Sequence, residues 1–291
     1  MFGFDASKLL CKSGSVGKEF VPILRKLDKA ALLITLIRLK TGTQQNILAS
    51  MFGIDQSTVS DYLKFMYPVL EEILPSPNKM STKIRKAETP SELKKILPGP
   101  DGGTVIVDAT HVPVQRPLDA EKRAKMYQGR KKRFTLNTTV ATNKDGLIVW
   151  IGKTRYGSMH DITVLKNDKI KFGRLEKAMK NPLTPSKKRM HVYTDKEYEG
   201  IEIKYPGIHS EQPSKKPRNG THTKVDTKRN ARISKKRVIV EHSIGRIKSY
   251  RVLERPYDRG PDELNAMFNV IAALVNFRLL WRTMGNRTLE S

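Results

Sequence analysis

Three acidic residues stand where chemistry on a phosphate would need them. Asp108 follows the apolar, β-branched run Thr104 to Val107, Asp195 follows Val192 to Thr194, and Glu241 lies inside RVIVEHSIGRIKSY, residues 237–250. An acid at the end of an apolar strand is costly to bury unpaired, so each aspartate calls for a hydrogen-bond partner, a cation or a metal. Two or more carboxylates can hold a pair of Mg²⁺ ions roughly 3.5 to 4 Å apart. One ion activates the attacking oxygen of an in-line phosphoryl displacement and the other stabilises the leaving oxygen. Magnesium suits the task because it takes hard oxygen ligands and keeps positions open for water and phosphate oxygens.

The elements that position these acids can be read around them. Val238, Val240, Ile244 and Ile247 recur at helical spacing, so residues 237–250 are predicted to be helical, with Arg237, Glu241 and Lys248 on one face. That face is either an ordinary ion-pair ladder or a site for a charged ligand. Thr104–Val107 and Val192–Thr194 are predicted as short buried strands, each ending in its aspartate. RFTLNTTVAT and GLIVWIG add two strands around the turn Asn143 to Gly146, making a meander with the first. HDITVLKNDKIKFGRLEKAMK is expected to be helical, as is the apolar run Asp262 to Trp281.

Residues 1–100 read as a helical domain, and residues 101–291 as the acid-bearing one. AALLITLIRLKTG gives an apolar face at Leu32, Leu33, Leu36, Ile37 and Leu39, ending at Gly42. Two helices, Gln44 to Met51 and about Gln56 to Tyr67, then flank Phe52-Gly53-Ile54, with Asp55 as candidate N-cap. A short Gly-containing turn between short helices is the helix-turn-helix pattern, here about 43–67, although a plain helical bundle has the same outline. The second helix offers Gln56, Ser57, Thr58, Ser60 and Lys64 to a DNA groove. SPNKMSTKIRKAETPSELKKILPGPDGG, rich in proline, reads as a linker.

Composition points to the partner. With 55 Lys and Arg against 29 Asp and Glu, the chain has a formal charge of +26, which calls for a polyanion; nucleic acid leads. The segment from Lys204 to Arg237 carries eleven cations against Glu211 and Asp226 and reads as a long basic loop. A second cluster, EKRAKMYQGRKKRF, carries seven cations and one acid. Either alone is explained by solvated lysines; two clusters flanking one set of acids favour a phosphate-binding channel. No run approaches 18 consecutive apolar residues and no secretion signal opens the chain, so no membrane partner is expected. A single cysteine, Cys11, fits a reducing intracellular compartment, cytoplasm or nucleoid in a prokaryote or nucleus in a eukaryote. No GxxxxGK[ST] loop is present, and Tyr198 and Tyr250 lack the Arg-His-Arg surroundings of a recombinase nucleophile.

Four motifs in order carry a resemblance: VDATHVP, GSMHDITVL, TDKEYEG and RVIVEHSIGRIK. The chain resembles the DDE transposases of the insertion-sequence and Harbinger-like type. The resemblance implies an α/β fold, a ribonuclease-H-like mixed sheet with flanking helices, behind an N-terminal all-α helix-turn-helix domain. Arg237, Glu241 and Lys248 match the spacing of that family's glutamate motif, while Ser234 stands where the motif has Tyr. It further implies that Asp108, Asp195 and Glu241 bind two Mg²⁺ (or Mn²⁺), that Arg237 and Lys248 grip phosphates, and that double-stranded DNA is cut at element ends and joined to a target. A homo-oligomer holding two ends is expected by the same analogy. His160 and Asp161 are a further candidate pair, Asp161 serving equally well as a helix cap. His111 and His242 adjoin the motifs and fit structural roles. A DNA-binding protein without catalysis, or an endonuclease without strand transfer, are the alternatives.

Overall fold

The computed structural model describes residues 29–87, 89–98, 103–167, 190–205, 208–216, 220–254, 256–257 and 260–287. Cys11 and the second half of the helix expected between His160 and Lys180 lie outside them.

Among the described residues three helices come first: α1 (Lys29–Thr41), α2 (Gln45–Phe52) and α3 (Gln56–Ile73). Gly53 ends α2 in the left-handed region at φ 65°, and its N–H meets the Ala49 and Ser50 carbonyls. Few residues other than glycine accept that backbone cheaply. Asp55 occupies the N-cap position of α3, but its side chain makes no capping bond. Ile34, Leu48, Ala49, Val59 and Leu63 lock the three helices together. The buried face of α1 is Ala31, Ile34, Thr35 and Leu39, so the expected face was turned too far: Leu33 is exposed.

The proline-rich segment is not a linker. It folds as α4 (Pro77–Lys86) and α5 (Pro90–Ile96), capped by Ser76 and Thr89, whose hydroxyls accept the Lys79 and Glu92 N–H groups. Proline at the first helical position gives up an N–H that would have no partner there. Ile84, Ala87, Leu93 and Leu97 pack beneath the sheet with Val105, Val107 and Val149.

The sheet contains β1 (Thr104–Pro113), β2 (Tyr127–Gln128), β3 (Arg133–Thr142), β4 (Ile148–Ile151), β5 (Arg155–Tyr156), β6 (Met190–Tyr193) and β7 (Ile208–Glu211). Its spatial order along the long strands is β4, β3, β1, β6, β7. β3 is antiparallel to both β4 and β1, whereas β6 runs parallel to β1 and β7 parallel to β6. The expected meander is present, and the mixed arrangement is ribonuclease-H-like. β1 is longer than expected, so Asp108 sits within the strand and not at its end. Short helices α6 (Ala120–Met126), α7 (Asp161–Asn167) and α8 (Ile201–Lys204) join the strands.

Two long helices cover one face. Much of the segment read as a basic loop is helical: α9 (Lys224–Lys248) begins at Thr223, whose hydroxyl oxygen accepts the Asp226 N–H at 3.1 Å. This is a capping box, with the acid three residues after the threonine. α10 (Pro261–Arg287) is long and apolar enough to cross a membrane by composition, yet Leu264, Met267, Phe268, Val270, Ile271, Ala272 and Val275 are buried against the sheet. Each large side chain buried there contributes about 1.5–3 kcal/mol. Asn276 bridges the edge strand, accepting the Ile148 N–H and donating to the Ile148 carbonyl, both at 2.8 Å.

The helix-turn-helix is not hung on a tether. Ala31, Leu39, Met66 and Leu70 share a core with β1, β3 and α10. Lys40 Nζ donates to the Ser249 carbonyl at 3.0 Å and lies 4.8 Å over the Tyr250 ring. Gly42, at φ 69°, comes so close to Arg251 that a Cβ would meet its carbonyl oxygen at 2.9 Å.

Candidate active site

β1 and β6 are neighbours paired through Ile106 and Tyr193; Asp108 lies two residues further along β1, and Asp195 two residues past Tyr193, just beyond the end of β6, where it caps the turn Lys196–Tyr198. The parallel pairing brings the two acids to the same end of the strands, where Asp195 acts on Asp108. Backbone N–H groups orient both: Ala109 N–H donates to Asp108 at 2.9 Å and Lys196 N–H to Asp195 at 2.7 Å. α9 packs across β1 and brings Glu241 over them.

Arg237 stands at the centre. Its guanidinium lies 3.5 Å from Asp108, 3.6 Å from Glu241 and 3.8 Å from Asp195. Three carboxylates from three separate elements therefore converge on one cation. Arg237 is largely enclosed, at 14% side-chain exposure, while Glu241 at 50% opens to solvent. Burial pushes the Asp108 carboxyl up to about 6, and nearby Asp195 and Asp161 add to the rise, whereas Arg237 and the Ala109 N–H oppose it. One guanidinium thus leaves the cluster short of positive charge.

The other expected residues fall around this centre. Asp161 opens α7 and accepts a hydrogen bond from Asn137 Nδ2 at 2.7 Å; burial raises its carboxyl, and Lys131 opposes the rise. Its charge also adds to the rise of the Asp108 carboxyl. His160 is exposed, and its carbonyl accepts the Thr163 and Val164 N–H groups. His111 is held down at about 4 by burial, with Lys131 and Lys248 adding, and its Nδ1 lies 3.1 Å from Thr135 Oγ1. His242 is exposed on α9, and Tyr198 is fully buried.

The second basic cluster reaches the site. Arg130 pairs with Glu197, and Lys131 is held below the usual lysine range by burial, against the pull of Asp161 and Asp108. Lys248 is lowered by desolvation and by Lys131, with Asp108 opposing. On α3, Gln56, Ser57 and Lys64 are exposed, whereas Thr58 and Ser60 are half-buried; Lys64 sits 3.5 Å from Asp61. Sequence reading missed Asn137, the residue that holds Asp161. A lone Asn in the strand RFTLNTTVAT was the available signal.

All three central acids offer hard oxygens around one cation, the donor set that Mg²⁺ or Mn²⁺ takes, so the residues present fit divalent metal. A mixed sheet with such a cluster, joined to a helix-turn-helix, defines a DNA-processing protein. Residues 107–276 match the family described as DDE superfamily endonuclease, and residues 29–76 match the helix-turn-helix of DDE superfamily endonuclease. The chain belongs to the DDE superfamily endonucleases. It is also 29% identical over 231 residues to the probable transposase for insertion sequence element IS702 of Microchaete diplosiphon, covering 78% of this chain and 72% of that protein.

Proposed function

We propose that this protein is a DNA transposase that cuts double-stranded DNA at the ends of its element and joins the freed 3′-hydroxyl to a target. The observation that carries the reading is the convergence of Asp108, Asp195 and Glu241 on a single cation beside a basic helix. Asp108, Asp195 and Glu241 would hold two Mg²⁺ or Mn²⁺ ions, which would supply activation of the attacking oxygen and stabilisation of the leaving oxygen. Arg237, one turn before Glu241, and Lys248, about two turns after it, grip phosphates near the cut, and Lys131 offsets charge on the strand. Gln56, Ser57, Thr58, Ser60 and Lys64 read the element end. His160 is left to accessory contacts and Asp161 to tuning Asp108. Two copies of the chain hold two ends together.

The test is cleavage of a labelled supercoiled plasmid bearing the element's flanking ends, with Mg²⁺, Mn²⁺ or Ca²⁺, beside Glu241→Gln. Metal-dependent cutting that the variant loses, with joined products, supports transposition. Tight, salt-sensitive binding without cutting under any metal overturns it in favour of a DNA-binding scaffold. Cutting without joining reduces it to an endonuclease.

A further inference from the structure

A second polar cluster lies on the same sheet, apart from the three acids. His191 on β6 and His209 on β7 are direct partners in the parallel register, and Tyr193 and Glu211 are the next pair on the same face. One nitrogen from each ring and one Glu211 oxygen all lie within 4.8 Å of one another. Glu211 is 7% exposed. Tyr193 Oη donates to its Oε1 at 2.8 Å and Arg232 on α9 donates to its Oε2 at 2.5 Å, so the carboxylate is fixed from both sides.

The His191 ring is only loosely held by its neighbours. His191 Nδ1 stands 3.4 Å from Glu211 Oε1, long for a hydrogen bond, which favours about 2.7–3.2 Å. That separation is close to the ligand-to-ligand edge of a tetrahedral ion with bonds of about 2.0–2.1 Å. Nδ1 is therefore the nitrogen that faces the carboxylate, and Nε2 points to the other side of the ring. The two rings meet edge to face at 5.0 Å.

We propose that His191, His209 and Glu211 form a zinc site. Two imidazoles and a carboxylate on rigid strands are the borderline donor set that Zn²⁺ prefers and Mg²⁺ does not. Half-exposed His209 leaves the fourth position to water. The site is structural: it clamps β7 to β6, the strand that leads to Asp195, and through Glu211 and Arg232 it ties both to α9, the helix that carries Glu241. His191 lies within β6 and Asp195 beyond its end, and the site draws on none of the three acids, so the ion is separate from that cluster. The proposal stands whether or not the chain transposes DNA.

Untagged, purified protein would be stripped with chelator, titrated with Zn²⁺ against a chromogenic zinc indicator, and loaded with Co²⁺ for visible spectroscopy. One equivalent of tight zinc is expected, together with the visible bands of four-coordinate cobalt and a higher melting temperature. His209→Ala and Glu211→Gln should each lose the equivalent and the melting shift, while Asp195→Asn keeps both. Circular dichroism identifies any variant that fails to fold, and the second ligand variant then stands in for it. Absence of stoichiometric zinc in the parent, or retention by both folded ligand variants, overturns the proposal. Loss of zinc in Asp195→Asn would assign the ion to the acid cluster and overturn it equally.

Discussion

Arg237 holds its guanidinium 3.5 Å from the Asp108 carboxylate, with Asp195 and Glu241 at similar reach, so a side chain occupies the centre that divalent ions would share. Positive charge is supplied there by the helix that also supplies Glu241. Replacing Arg237 with Gln leaves three acids facing one another. The metal-free protein is then expected to lose about 1–3 kcal/mol, the cost of leaving a partly buried polar partner unmade. Mn²⁺ should restore more stability to the variant than to the parent. Thermal melts with and without Mn²⁺ measure both effects, and equal Mn²⁺ shifts in the two proteins would contradict the account.

The Asp108 carboxyl gives a pH signature. Its folded-state value, about 6, lies above its ordinary 3.8, so folding favours the protonated form. The associated stability is fully present below about 3.8 and is lost as pH rises through about 6. Above that, the ionised group costs on the order of 3 kcal/mol, at about 1.4 kcal/mol per unit. Asp108→Asn is therefore expected to be more stable than the parent at pH 7.5 in chelator, with the gain shrinking between pH 6 and pH 4. Asn can still accept the Ala109 N–H. A variant less stable than the parent at pH 7.5 would show that the carboxylate is better satisfied than its burial implies.

Metal binding requires the ionised carboxylate, so DNA cutting should rise with pH through the region near 6. Loaded metal moves the midpoint downward, because a cation favours the charged form. The measurement is initial cutting rate against pH at two Mg²⁺ concentrations. A midpoint unmoved by Mg²⁺ would assign the titration to another group.

On α3, exposed side chains separate two kinds of contact. Gln56→Ala should cost about 1–3 kcal/mol on the cognate end and relax preference at one base pair. Lys64→Ala should weaken all DNA about equally and lower the salt slope by about one. Binding titrations at several salt concentrations on cognate and scrambled duplexes distinguish them. Indifference of the Gln56 variant to sequence would remove α3 from base reading.

The acids were legible because each sits in a short local context: an apolar run followed by Asp, or a helical face bearing Arg237, Glu241 and Lys248. The helix-turn-helix was legible through Gly53 and the flanking apolar spacing. What escaped was misread punctuation. Pro77 and Pro90 suggested a linker, yet Ser76 and Thr89 immediately before them are the caps of two helices. The density of lysine and arginine between Thr223 and Arg237 hid a helix whose buried side is little more than Ile233. The inward turn of Arg237 is a rotamer choice that no spacing encodes. His191 and His209 meet only because two parallel strands fix their register across 18 positions, a contact that exists in the sheet and not in the string.

The close seat of Gly42 against Arg251 and the bond from Lys40 to Ser249 fix α1 to the end of the helix that bears Glu241. Gly42→Ala would press a methyl into a carbonyl oxygen on a left-handed backbone, costing more than about 1 kcal/mol. With α1 fused to α3 by a shared core, α3 and the helix that bears Glu241 move as parts of one frame. The molecule is built like a pair of calipers with its jaws set: the distance from α3 to Glu241 is a property of the fold, not of a tether.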